Sequence, residues 1–290
     1  MNRQAELFVD SRCELGEGPF WHPLLGRLFW FDILNCTLLS ANDQGHIVDR
    51  ITFKDFVSAA AVIDKDTLAV AQAGALLRYD FRTDTSTTII DIEADVPGNR
   101  PNDSRVDRSG GFWIGTMGRK AEPGVGAVYQ FRAGVLSKIM SGIRIPNSIC
   151  FSPDGRTAYF TDSGAMIKRC SVDPATGLPI GEWTDFYTMS GLGGADGSVV
   201  DAEGYVWNAR WGGGAVIRIS PDGKLDQVIE VPNVTRVSCP AFGGKDMKTL
   251  YLTTAREHMT PEELEREPTA GSVFAIDVDV PGPAEPFLKL

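Results

Sequence analysis

Short β-type apolar runs recur along the chain at a near-constant spacing. They are LFWFD at 28–32, LAVAQ at 68–72, FWIGT at 112–116, AYFTD at 158–162, VWNAR at 206–210 and LYLTT at 250–254. Their second residues, Phe29, Ala69, Trp113, Tyr159, Trp207 and Tyr251, lie 40, 44, 46, 48 and 44 positions apart. Most of the runs follow a turn signal: HPLLGR, DRSGG, SPDGR, DAEGY or GGKDMK. In such turns glycine supplies positive φ, and Asp or Asn bonds its own backbone.

An apolar segment precedes each run: GPFWH, AAAVID, SRVD, SICFS, SVVD and CPAFGG. A strand-like segment follows each: TLLSA, ALLRYD, AVYQF, MIKRCSV, AVIRIS and SVFAIDV. A third, more polar segment follows most of these, for example IVDRITF and TTIIDI. Six repeats of four strands predict an all-β, six-bladed β-propeller with four-stranded blades, spanning 1–290 as one domain. A β-sandwich is the competing architecture, but it has no need of six equal repeats. One short helix is predicted at Thr260–Glu267, as an insertion in the last repeat. There Thr260 and Glu263 form a capping box and Pro261 takes the first helical position. By its offset, Glu6–Ser11 matches the outer strand that precedes each repeat and would close the ring on the last blade. Pro286–Leu290 competes for that place.

Repetition also predicts which residues meet. Counting back 11 or 12 positions from the six anchors gives Glu17, Ser58, Asn102, Asn147, Asp196 and Cys239. In a propeller these converge on the central channel. Four of the six are carboxylates or carboxamides, which cost free energy at a shared axis unless something answers them. A hard divalent cation does so, because it takes oxygen ligands. Turn formation alone is the bland explanation of each residue singly; the shared phase favours a metal or polar-ligand site.

Charge and composition narrow the classes. With 28 basic and 38 acidic side chains the formal charge is −10, which argues against a general partner for nucleic acid or acidic membranes. Met1–Asp10 has no long apolar run, and no stretch approaches the roughly 18–20 residues of a membrane span. A cytoplasmic protein without a signal peptide is therefore expected. Cys13, Cys36, Cys150, Cys170 and Cys239 form no CxxC pair and are expected to be reduced. His22, His46 and His258 are the only histidines and suit no catalytic triad. No GxSxG, P-loop or dinucleotide-binding context is present.

Taken together, several motifs resemble the gluconolactonase, regucalcin and luciferin-regenerating group. They are LGEGPFWH (15–22), NRPNDSRVD (99–107), FWIGTM (112–117), IPNSICFSPDG (145–155), TDS (161–163), DGSVVDAEGYVW (196–207) and AFGGKDMKTLYLTTA (241–255). The resemblance covers essentially the whole chain and looks closest to the bacterial sugar lactonases. It implies a six-bladed propeller that binds one divalent metal and hydrolyses sugar-acid lactones such as glucono-, xylono- or arabinonolactone. By motif, the metal ligands fall on Glu17, Asn147 and Asp196, and the substrate contacts on Arg100 and Asn102. Asp196 is also the candidate general base. The repeat count picks out four of these five without the resemblance. Some animal members carry acidic residues just after GTM, where this chain has Gly118, Arg119 and Lys120, with Glu122 displaced. Lys120 is taken as a substrate contact; a solvated loop charge is the competing reading. Oxygen ligands admit calcium, zinc, manganese, magnesium or ferrous iron. The competing functions are a non-catalytic calcium-binding propeller and an aryl-lactone or organophosphate esterase.

Overall fold

The computed structural model describes residues 3–164, 166–188 and 191–290. Its strands form six sheets arranged as blades. Each runs outward from an inner strand: Gly16–His22, Val57–Val62, Asn99–Val106, Pro146–Phe151, Gly194–Val200 and Val237–Gly243. Each inner strand contacts the next in order, and the sixth contacts the first, so the sheets close into a ring.

Glycine-bearing turns separate the strands, and burial follows strand order. Inner and second strands are almost wholly buried, whereas outer strands such as Ile47–Thr52 alternate exposed and half-buried positions. The repeating anchors fill the seams between blades. Trp113 meets Phe151 edge-on at 5.1 Å, Trp207 meets Phe242 at 6.3 Å, and Tyr251 stacks on Trp21 at 6.1 Å. Such aromatic wedges bury large apolar areas between neighbouring sheets.

Ring closure occurs as the sequence predicts. Glu6–Val9 pairs antiparallel with Val273–Asp277 and supplies the outer strand of blade 6. The chain start goes further than expected: Arg3–Gln4 pairs parallel with the outer strand of blade 5, which the repeat pattern does not foretell. The helix Pro261–Arg266 carries both arms of the capping box. Among the described residues no helix is long and apolar enough to cross a membrane.

Pro286–Leu290 takes no outer-strand place. The C-terminal segment instead crosses the end of the ring where inner strands turn back. Pro281 O accepts from Ala202 N at 2.9 Å, Leu288 N donates to Val62 O at 2.8 Å, and Lys289 N donates to Gly110 O at 2.9 Å. Between these ties, Glu285 meets the Arg105 guanidinium on the inner strand of blade 3 at 2.5 Å. The Arg105 side chain is 9% exposed and that of Glu285 23%. Truncating Glu285 would leave a buried cation without its carboxylate. Glu285→Ala is expected to lose about 1–3 kcal/mol, below the fully buried case because Glu285 is partly wet. Urea unfolding would show this as a lower midpoint with an unchanged slope.

Candidate active site

Every inner strand breaks register with its neighbour at one phase. The breaks fall between Glu17 and Phe20, Val57 and Ala59, Pro101 and Ser104, Asn147 and Cys150, Ala195 and Ser198, and Val237 and Cys239. Bulges of this kind re-aim side chains. In each blade the position three residues before the anchor's cross-strand partner falls at this break. Those positions are Glu17, Ser58, Asn102, Asn147, Asp196 and Ser238.

The sixth position corrects the sequence count, which assigned Cys239. The inner hairpin of blade 6 is longer than the others, so the count must run one residue further there. Cys239 belongs one step deeper, beside Asp103, Ser148 and Gly197 in phase. It is fully buried, its thiol lies 4.0 Å from Arg105, and burial holds it well above its ordinary pKa. It is therefore a protonated filler rather than a nucleophile.

Hydroxyls of this layer and of the one beneath it tie adjacent blades together. Ser58 Oγ donates to Asn102 O at 2.6 Å, Ser148 Oγ to Asp196 O at 2.6 Å, and Ser238 Oγ to Gly16 O at 2.5 Å. The residue after Glu17 must be small. Gly18 has φ +53°, and a Cβ there would sit 2.0 Å from Ser58 O. Likewise a Cβ on Gly197, after Asp196, would meet Cys239 Sγ at 2.3 Å.

Above this layer opens a pocket of about 550 Å³. It gathers all six sequence-predicted residues: Glu17, Arg100, Asn102, Lys120, Asn147 and Asp196. Five of them are at most 8% exposed, whereas Lys120 is an exposed residue at the rim. Arg100 Nη1 donates to Asn102 Oδ1 at 2.8 Å and to Pro101 O at 2.9 Å. This fixes the Asn102 carboxamide, whose Nδ2 donates to Asn147 Oδ1 at 2.9 Å. Asn147 Oδ1 keeps a second lone pair. Glu17 Oε2 accepts from Gly18 N at 2.9 Å.

Electrostatically the pocket floor is under tension. Burial, then the charge of Asp103, pushes Glu17 up to about 8. Burial, then Glu17 and Asp103, raises Asp196 well above its ordinary value. Two desolvated carboxylates in mutual repulsion, with carboxamide oxygens beside them, make a hard-oxygen donor set that a divalent cation would satisfy. Among the described residues no group of three or more His, Cys, Asp and Glu is placed to hold a metal, so a site here would add neutral oxygens such as the carboxamides to its two acids. On the rim, Arg119 is answered by Asp55 at 2.7 Å and lies over the Phe56 ring, while Glu122 folds back to accept from Lys120 N at 3.1 Å. Ala165, Met189 and Ser190 lie outside the described residues.

Several residues at the site were not foreseen. Leu15, Trp211, Glu257 and His258 also line the pocket. Beneath it, Asn208 is fully buried and donates to Ser148 Oγ at 3.1 Å, Asp196 O at 3.1 Å and Gly197 O at 3.3 Å. Arg210 Nη1 holds the other end of that amide at 3.0 Å. A signal for Asn208 was present in the sequence. The residue after each anchor is Trp30, Val70, Ile114, Phe160, Asn208 and Leu252, so one polar residue breaks an apolar phase. Asn208→Ala removes several buried hydrogen bonds at once, the acceptor for Arg210 Nη1 among them, and is expected to cost about 2–4 kcal/mol in denaturant unfolding.

Comparison with known proteins agrees with this architecture. A calcium-binding protein, regucalcin, from Agrobacterium tumefaciens str. C58 superposes with a TM-score of 0.96 at 40% identity, covering 100% of this chain and 99% of that one. A Rhizobium meliloti (strain 1021) protein, provisionally named a sugar lactone lactonase, is 39% identical over 97% of this chain and 96% of its own length. The L-arabinolactonase of Azospirillum brasilense is 35% identical over 93% of this chain and 91% of its own. The SMP-30/Gluconolactonase/LRE-like profile matches residues 15–256. With its six-bladed ring and its pocket over the inner strands, the chain belongs to the SMP-30/Gluconolactonase/LRE-like family.

Proposed function

We propose that the protein is a metal-dependent lactonase that opens sugar-acid lactones to the free acids. One observation carries this reading: buried carboxylates and carboxamides from blades 1, 3, 4 and 5 converge on one open pocket beside Arg100. The names of its relatives, sugar lactone lactonase and L-arabinolactonase, agree with it. Glu17, Asn147 and Asp196 would hold one divalent ion, either calcium, zinc, manganese, magnesium or ferrous iron. Bound there, the ion supplies a Lewis acid for the lactone carbonyl and a lowered pKa for water.

The remaining work falls to side chains. Arg100 and Asn102 orient the substrate; the guanidinium is tied on Nη1 to neutral acceptors, which leaves the rest of its fork for oxygen atoms of a ligand. Lys120 extends these donors at the rim. Asp196 takes a proton from water as the water oxygen bonds to the carbonyl carbon. The ring C–O bond then breaks, and the proton passes to the departing alkoxide. The acid formed ionises at neutral pH, so turnover releases one proton.

A pocket open above the acids fits catalysis better than a closed, purely structural calcium site. An aryl-lactone esterase would want an aromatic mouth. Apart from the His258 imidazole, Trp211 is the one aromatic lining residue among those described. The test is a pH-stat assay across a panel of aldonolactones with each ion added in turn. At least one lactone should be hydrolysed well above its spontaneous rate. No acceleration with any lactone and ion would refute the reading.

A further inference from the structure

We infer that Glu257 reads the hydroxyl groups of the substrate and so makes the pocket selective for polyhydroxylated over plain lactones. This rests on the lactonase reading and deepens it. Glu257 lies just before the helical insertion of blade 6, and its place is fixed by backbone bonds. Arg256 N and Glu257 N both donate to Glu14 O, at 2.9 and 2.8 Å, and Ala255 N donates to Arg236 O at 3.0 Å. The insertion is anchored in turn: Thr235 N and Oγ1 donate to the Glu267 carboxylate at 2.8 and 2.9 Å.

Glu257 is the one carboxylate lining the pocket, among the described residues, besides Glu17 and Asp196. Its side chain is 21% exposed and lies 3.6 Å from the His258 imidazole, a side chain 84% exposed. A contact so long and so wet holds the carboxylate only weakly. The Arg and Lys side chains lining the pocket, Arg100, Arg119 and Lys120, all belong to blade 3, three blades away in a ring of six. The pocket thus has a cationic donor wall on blade 3 and a carboxylate on blade 6 whose charge acts on Arg100.

That polarity suits one kind of ligand. A lactone carbonyl and ring oxygen only accept, so they are answered by the donor wall. Hydroxyl groups also donate, and a carboxylate has two oxygens to receive them. A lactone without hydroxyls would cover Glu257 and leave it desolvated with nothing to accept. A site built to bond a substrate hydroxyl rejects the analogue that lacks it for this reason.

The test compares an aldonolactone with an unsubstituted lactone of the same ring size, using metal-loaded protein. The quantity read is the ratio of their kcat/KM values. Glu257→Ala should lower that ratio about 10–100-fold, mostly through KM of the aldonolactone, and Glu257→Gln should retain part of it. An unchanged ratio in Glu257→Ala would overturn the inference. Calorimetric binding of a polyhydroxylated lactam, which the enzyme does not hydrolyse, gives a readout apart from turnover. Glu257→Ala should weaken it by the same factor, and equal affinity would overturn the inference. Were the wild type to open neither lactone, the hydrolase reading would fail, while lactam affinity would still decide the role of Glu257.

Discussion

Asp196→Ala is expected to lower kcat for lactone hydrolysis by about 10³-fold or more while leaving the fold intact. The backbone of Asp196 is secured without its side chain. Its carbonyl accepts from Ser148 Oγ at 2.6 Å and Asn208 Nδ2 at 3.1 Å, so truncation removes the carboxylate and little else. Loss of a general base alone costs about 10²–10⁴-fold, and the proposed ion loses one of its two anionic ligands as well. Stability should move the other way. Asp196 is buried in repulsion with Glu17 and Asp103, so the metal-free variant should melt at or above the metal-free wild type. Steady-state kinetics with thermal unfolding checks both halves. A variant that stays active, or loses activity by unfolding, would contradict the assignment.

In the metal-free protein, stability is expected to fall as pH rises from about 5 to 8. Glu17 has an ordinary value of 4.5 and is pushed up to about 8, by burial first and Asp103 second. Between those values the folded protein keeps a proton that the unfolded chain has lost, so each step up in pH favours unfolding. Above about 8 both states are ionised and the loss levels off. The loss belongs to Glu17 and its carboxylate neighbours as a coupled set and is on the order of a few kcal/mol across the window. Asp196 is shifted in the same direction. A divalent ion on these carboxylates favours their ionised forms, so adding it should flatten or reverse the slope. Melting curves of chelator-stripped protein, with and without added ion, measure this. A metal-free Tm that is flat or rising over the window would contradict it.

Much of this site is legible in the sequence because a propeller repeats. Equal spacing places Glu17, Asn102, Asn147 and Asp196 at one phase, and the ring brings that phase to one axis. The repeat misplaces residues where local geometry departs from it. A longer hairpin in blade 6 moved the sixth position from Cys239 to Ser238. Arg3–Gln4 escaped because two residues carry no periodicity to read. Glu257 and His258 lie at an insertion with no counterpart in other blades, so no phase pointed to them. Asn208 could have been found, since it interrupts an apolar phase, but its partners Ser148 and Asp196 are set by contact between blades. The C-terminal segment is a similar case: its ties to Val62, Gly110 and Arg105 depend on tertiary contacts rather than on a local pattern.

In the proposed reading Glu17, Asn147 and Asp196 hold one ion on which lactone opening depends. Its most direct test is proton release from an aldonolactone by chelator-stripped protein as a divalent ion is titrated back. Activity should be near the spontaneous rate at the start, rise with the added ion and saturate near one equivalent per chain. Full turnover by the stripped protein, unaltered by any added ion, would contradict the account.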